Sequence, residues 1–359
     1  MLSLIVFLFV LGLLVIVHES GHFMAAKKVG IKVEKFSLGF GPAIISKKKG
    51  DTEYSLCAVL LGGYVKLAGD NPEEYKGTKD EYLSKTPWQR AQVVFCGPLL
   101  NFILGFLLFW LIFFTGYPAL TARVGSLIDG FGAKEAGIKA QDNIIAVGGK
   151  RIVLWEELQE EIQGKKQGDT LDFLISRDGK ELKVKVKIKE KEFTDILGQK
   201  RSVGLAGIAP SDEFIRIRHG FLESFSLGLT KTYDLTVITY RALWRIVTGK
   251  LSMRESVSGP LGIFYVTSKV AALGVTAVLH LMAALSISLA IFNLLPLPVL
   301  DGGHLFLLAI EKIRRKRLSL RTERLITQAG MALILSLAVL ATYNDIMRIF
   351  GDKLLKWFR

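Results

Sequence analysis

At 359 residues, half of them hydrophobic and 22% charged, the chain is too apolar for one water-soluble domain and too charged to lie wholly within a membrane. Its formal charge of +14 is unevenly spread and comes with no nucleic-acid-binding motif, so a nucleic-acid partner is set aside. Two cysteines, Cys57 and Cys96, have no short-spaced metal-type partner and support no disulfide framework.

Met1 to Val17 is almost unbroken hydrocarbon and runs straight into His18-Glu19-Ser20-Gly21-His22, with apolar residues continuing to Ala26. No Lys or Arg precedes Lys27, and the polar cluster stands where a signal peptide would be cleaved, so the segment reads as a span. On a helix His18 and His22 share one face, the spacing two imidazoles need to grip a tetrahedral Zn²⁺, and Glu19 lies about 100° round. A rise of about 1.5 Å per residue puts His18 roughly 13 Å from Lys27 and His22 roughly 7 Å from it, inside the bilayer but near one face. An ionisable group at the centre of a span costs about 2.5–3.5 kcal/mol, a cost that metal coordination would offset.

Val33–Lys49 and Thr52–Leu67 carry β-favouring residues punctuated by glycines, which predicts a small antiparallel sheet. It either dips into the membrane face beside the motif or is an ordinary cytoplasmic hairpin. A polar connector over Asp70–Lys85 leads to Trp88, an interfacial anchor, and then to a second span over Val93–Thr115. There Gly97, Asn101 and Gly105 share a face suited to close helix contact, with Pro98 expected near the helix start. Arg123 to about Glu192 is soluble in composition, with a helix around Trp155–Gln163 and a hairpin turning at Arg177-Asp178-Gly179-Lys180. Ala136-Gly137-Ile138 and Asp142-Asn143-Ile144-Ile145-Ala146-Val147-Gly148-Gly149 resemble a PDZ domain, which binds peptides as an added strand, although Gln141 stands where most have glycine. A general β-rich adaptor is the plainer alternative. Phe221–Leu251 suits an interfacial amphipathic helix.

Ala271–Ile310 is nearly continuous apolar sequence that would be roughly 60 Å long as one helix, twice the hydrocarbon core. It must break, and Asn293-Leu294-Leu295-Pro296-Leu297-Pro298-Val299-Leu300-Asp301-Gly302-Gly303 holds the breakers. Asp301 then becomes the natural third zinc ligand beside His18 and His22. His304 fits a supporting or structural role, and His280 one in helix packing. With spans over Ala271–Leu295 and Leu325–Thr342, four spans are expected. Lysines after the first span and the basic run between the last two mark the cytoplasmic side, which places both termini and the 116–270 region outside.

The paired motifs at His18–His22 and Asn293–Gly302, with Gly97-Pro98-Leu99-Leu100-Asn101, Gly39-Phe40-Gly41-Pro42 and Leu61-Gly62-Gly63-Tyr64-Val65, resemble the site-2 protease family of intramembrane zinc metalloproteases. The PDZ-like insert is similar to that of the bacterial regulator-of-sigma-E protease type, many members of which have two such domains. The resemblance implies a polytopic α-helical membrane protein with four transmembrane helices, a small membrane-associated β-sheet after the first span, and an inserted PDZ-like α+β domain. Its parts would be 1–115, the first half of the protease core; 116–200, the PDZ-like domain; 201–265, a connector; and 266–359, the second half. It implies a Zn²⁺ cofactor on His18, His22 and Asp301, Glu19 as general base, and Asn293 and Asn101 as substrate-binding residues. The expected partners are single-span membrane proteins, such as anti-sigma factors or remnant signal peptides, a peptide C-terminus or strand at the PDZ-like domain, and membrane lipid. The location would be a bacterial inner membrane. A non-catalytic adaptor with a structural zinc competes, although such a site does not require Glu19; a metal transporter would need more intramembrane carboxylates and histidines.

Overall fold

The computed structural model describes residues 2–357 apart from 196, 257, 317 and 318. The chain begins with α1 (Leu2–Lys28), the strands β1 (Val33–Lys49) and β2 (Thr52–Leu67), and α2 (Pro87–Thr115). There follow β3 (Tyr117–Leu120), β4 (Val124–Leu127), α3 (Gly132–Glu135), β5 (Asn143–Val147), β6 (Lys150–Arg151) and α4 (Trp155–Gln163). Next come β7 (Thr170–Arg177), β8 (Lys180–Lys187), β9 (Lys189–Thr194), β10 (Lys200–Leu205), β11 (Ile208–Pro210) and β12 (Phe214–Ile217). The chain closes with α5 (Phe221–Val247), α6 (Met253–Ser256), α7 (Pro260–Ala272), α8 (Val275–Asn293), α9 (Asp301–Arg314) and α10 (Leu320–Trp357). It separates into two compact units, Phe113–Phe221 and the rest.

In the larger unit, four helices among the described residues are long and apolar enough to cross a membrane: Leu2–Lys28, Pro87–Thr115, Val275–Asn293 and Arg324–Arg348. They are apolar all round rather than along one stripe, as befits helices whose outer surface meets no water. The second begins at Pro87, so Pro98 lies inside it rather than near its start. A proline there removes one backbone donor, which a packed apolar helix tolerates. The break between α8 and α9 falls at 294–300, where length and breakers required it.

β1 and β2 form more than a flat hairpin. Residues 35–38 of β1 pair with 63–66 on one side and with 53–56 on the other, and 45–49 also pair with 52–56. Both strands therefore fold back at their glycines to make a mixed four-stranded layer, in the order 63–67, 33–38, 52–57, 43–49, with the two outer pairs antiparallel and the central pair in parallel register. Gly39 at φ 90° supplies the bend. The 63–67 edge lies against α1, with the Gly63 backbone beside Val15 and Glu19. The 50–51 turn returns to the sheet's root, where Thr52 Oγ1 donates to Val33 O at 2.8 Å.

The smaller unit has a water-soluble protein's construction. Its sheet runs β6-β5-β7-β8, and Asp178 and Gly179 turn the β7–β8 hairpin at φ 49° and 78°, both in the left-handed region that a tight hairpin turn uses. Phe173, Ile175, Ile144, Leu158 and Val186 are fully buried in one core. Glu157 caps the start of α4, accepting the Val153 and Leu154 N–H groups at 2.8 and 3.1 Å. β11 and β12, from the segment that the sequence assigned to the connector beyond residue 200, pair with β4 and β3. The closing carbonyls of α2 are satisfied locally: Phe113 O by the His219 N–H at 3.1 Å, Phe114 O by Arg218 Nε at 2.9 Å and Thr115 O by Arg216 at 3.0 Å.

Candidate active site and metal centre

Three side chains from distant parts of the chain converge in the larger unit. His18 Nε2 lies 3.1 Å from Asp301 Oδ2, His22 Nε2 lies 3.6 Å from Asp301 Oδ1, and the two Nε2 atoms are 3.2 Å apart. Tetrahedral zinc with bonds of 2.0–2.1 Å holds its donors about 3.3 Å from one another, so these separations suit the ion. Asp301 Oδ2 is buried and has no hydrogen-bond partner, an arrangement that costs free energy unless a cation meets it. The donor set, two imidazoles and a carboxylate, is one that catalytic zinc sites use.

The surroundings orient these donors. His22 Nδ1 donates to Val93 O at 2.9 Å, which leaves the Nε2 lone pair facing its neighbours. Asn101, wholly buried, has its Nδ2 3.2 Å from His18 Nδ1, while its Oδ1 has no partner. With that oxygen turned to the ring it accepts Nδ1–H, again freeing Nε2 for a metal. Asn101 O accepts a hydrogen bond from Ser286 Oγ at 2.8 Å, tying α2 to α8 beneath the site. Close approach depends on Gly97, where a Cβ would stand 2.3 Å from His22 Nε2. Likewise a Cβ on Gly302 would meet Leu294 O at 2.3 Å, so the 294–300 turn closes tightly on the start of α9. Val299 in that turn has φ 80°, a strained setting for a β-branched residue worth of order 1–3 kcal/mol, two residues before Asp301.

Glu19, His22, Asp301 and His304 line a cavity of about 620 Å³. Glu19 also takes a backbone hydrogen bond from Val65 on the 63–67 edge. Asp70, Tyr82, Arg90 and Glu311 form the far wall. Burial raises the Asp70 carboxyl above its ordinary value and the Tyr82 phenol above its own, as expected of a wall drier than open solvent. Arg90, almost fully buried, meets Glu311 Oε1 at 2.5 Å. Asn293, half-buried at the end of α8, stands outside both the three-donor cluster and the cavity lining. His280 packs edge-on against Phe109 at 5.9 Å, within a helix interface. Sequence reasoning did not single out Arg90 or Glu311. An arginine three residues ahead of Val93, at the start of the second span, was the available signal.

The family model described as peptidase family M50 matches residues 6–337. The chain belongs to that family. Membership makes this M50 protein a zinc metalloendopeptidase of the site-2 protease kind. It is 31% identical to the zinc metalloprotease RasP of Geobacillus kaustophilus, covering 97% of this chain and 98% of that one. It is 34% identical to a candidate zinc metalloprotease of Campylobacter jejuni, covering 96% and 93%. Among solved structures, the PDZ domain of the SdrC-like protein of Listeria innocua matches at 26% identity and a TM-score of 0.21, covering 26% of this chain and 96% of that one.

Proposed function

We propose that this M50 peptidase cleaves single-span membrane proteins within the bilayer, with His18, His22 and Asp301 holding Zn²⁺ and Glu19 as general base. The observation that carries the reading is the meeting of three metal-donor side chains, His18, His22 and Asp301, beside a cavity that His22 and Asp301 line together with a second carboxylate, Glu19, with the two histidines and Glu19 on a helix apolar enough to span. Zinc there would supply Lewis-acid polarisation of the scissile carbonyl and of water. Glu19 takes the proton of the attacking water and passes it to the leaving amide nitrogen. Asn101 positions His18 from below, a role its complete burial favours over substrate contact. Asn293 is kept as a substrate-backbone contact, made when a substrate is bound.

The 63–67 edge, unpaired on its outer side among the described strands and adjacent to Glu19, would receive the substrate as an added strand. That geometry requires the substrate helix to unwind, which exposes its peptide bond. Residues 113–221 act as a PDZ-like module, with a small pocket between Trp155, Leu158 and Ile162 of α4 and Leu205–Ile208 for a peptide end or strand. The lysines after α1 and the basic run after α9 support a reading with the metal-proximal face toward the cytoplasm of a bacterial inner membrane, and the PDZ-like module and both termini outside. Substrates are anti-sigma-factor-like proteins or remnant signal peptides.

Glu19→Gln separates this reading from a zinc-stapled adaptor. It should keep zinc by elemental analysis while slowing cleavage of a reconstituted single-span substrate by about 10²–10⁴-fold. Undiminished turnover would remove Glu19 from the mechanism. Asp301→Ala should lose the metal, and full zinc content would remove Asp301 from the ligand set. An alkaline phosphatase fused between 123 and 192 should be active, and an inactive fusion reverses the orientation.

A further inference from the structure

The folded-back sheet carries a second, unassigned surface on the edge opposite the site. Its outermost strand, 43–49, is exposed on both faces and is zoned along its length. Ile44 and Ile45 are 66% and 63% exposed, and Ser46 separates them from Lys47, Lys48 and Lys49. The same end of the sheet holds Lys35 and Lys66, but these have carboxylate partners: Glu53 at 3.5 Å for the first, Glu34 and Glu74 at 3.4 and 3.0 Å for the second. Among the described residues, Lys47, Lys48 and Lys49 make no such ion pair.

The zoning has a depth scale. The bend at Gly39 and Gly62–Gly63 lies level with Val15 and Glu19 of α1, and Phe40 and Val59 are exposed there. The lysine end returns to Val33, just past the Lys27–Lys28 end of α1. At about 3.3 Å per residue, Ile45 and Lys48 are roughly 10 Å apart along the strand. That separation is comparable with the interfacial layer of about 5–8 Å on each side of the hydrocarbon, once flexible lysine stems are allowed to reach outward.

We infer that strand 43–49 docks on acidic phospholipid headgroups of the metal-proximal leaflet, with Lys47, Lys48 and Lys49 on their phosphates and Ile44 and Ile45 among the acyl chains. This rests on the membrane placement proposed above and not on the protease chemistry. At about a fivefold preference for each lysine, the strand favours acidic over zwitterionic lipid by roughly a hundredfold. The sheet whose inner edge borders Glu19 is thereby anchored at its outer edge.

The test uses the full chain carrying Glu19→Gln in nanodiscs of phosphatidylcholine, with or without phosphatidylglycerol. A polarity-sensitive probe is placed on Ile45→Cys, with Cys57 and Cys96 replaced by Ala. Probe emission should shift to the blue when phosphatidylglycerol is included, and the shift should be reversed by about 1 M salt, where screening acts within about 3 Å. Lys47→Gln/Lys48→Gln/Lys49→Gln should abolish the shift, and the triple Arg variant should keep it. An equal spectrum in both lipids, or a shift that survives the triple Gln change, overturns the inference. A probe freely quenched by aqueous iodide in every nanodisc overturns it through the membrane placement, whereas loss of protease activity in any variant would not mimic these results.

Discussion

The two units of this peptidase solve opposite solvation problems. Residues 113–221 hide Phe173, Ile144, Ile175 and Leu158 and present charge outward. In the larger unit, Leu107 and Leu111 of α2 and Leu335 and Val339 of α10 are exposed, while Asn101, Ser286, Arg90 and Asp345 are buried. Each of those buried polar groups joins separate elements: Asn101 to His18, Ser286 to α2, Arg90 to Glu311, and Asp345 to the Gly262 N–H at 2.7 Å. The difference teaches that apolar surface is only a driving force where water is the alternative; between spans, small residues and hydrogen bonds select the contact.

Phe173→Ala gives the largest expected effect on that contrast. Truncating a fully buried aromatic in a water-facing core costs about 3–5 kcal/mol, which hydrogen exchange of the 113–221 amides in the full chain would register. Zinc content should be unchanged. A loss below about 1 kcal/mol would mean that this core is not what holds the smaller unit. For the larger unit the matching change is polar: Asn101→Leu removes the acceptor for His18 Nδ1–H and should weaken zinc affinity by about 10–100-fold in a chelator competition. If Asn101→Leu left zinc affinity intact, Asn101 would be a packing residue, and the buried-polar side of the comparison would lose its functional member.

A third effect is set by pH. Asp142 is buried, which raises its carboxyl, but two bonds from Arg177, at 2.8 and 2.7 Å, and the Lys139 N–H at 2.7 Å outweigh burial and hold it below its ordinary value. A carboxyl depressed in the folded state contributes stability that is complete above its unfolded value of about 3.9 and is lost as pH falls through the folded value. Protection of the 113–221 amides should therefore be level from neutrality to about pH 5 and decline below about pH 4. Asp142→Asn should lower it at neutral pH and flatten the acid limb. An unchanged acid limb would assign the loss to other carboxylates.

What was legible in the chain follows the range of the interactions. His18 and His22 are one helical turn apart, so their pairing needs no tertiary information. Asp301 was legible because Ala271–Ile310 is too long to cross straight and its breakers locate the turn. The helix Trp155–Gln163 and the hairpin at Asp178-Gly179 announce themselves through local periodicity and turn chemistry. The Arg90–Glu311 wall, the hold of Asn101 on His18 and the doubling back of β1 and β2 depend on contacts between separate elements that no local pattern encodes. The return of β11 and β12 to β4 and β3 is of the same kind: short strands of ordinary composition whose partners lie far back in the chain.

Gln141 is the smallest effect and the sharpest local check. The sequence departs here from the glycine that most PDZ domains carry before the Asp, and the backbone has kept the glycine conformation, with φ at 71°. An L-residue in the left-handed region costs about 1–2 kcal/mol, whereas glycine costs about 0.5–1 kcal/mol in lost unfolded-chain freedom. The Gln141 N–H still donates to Val124 O at 2.7 Å, so the turn is fixed by its own hydrogen bond rather than by the side chain. Gln141→Gly should therefore stabilise the smaller unit by about 0.5–1 kcal/mol, read as slower exchange at Ile144 and Phe173, with zinc content and cleavage unchanged. Faster exchange would show that the glutamine side chain makes a compensating contact, and that the turn in this domain has been rebuilt around it.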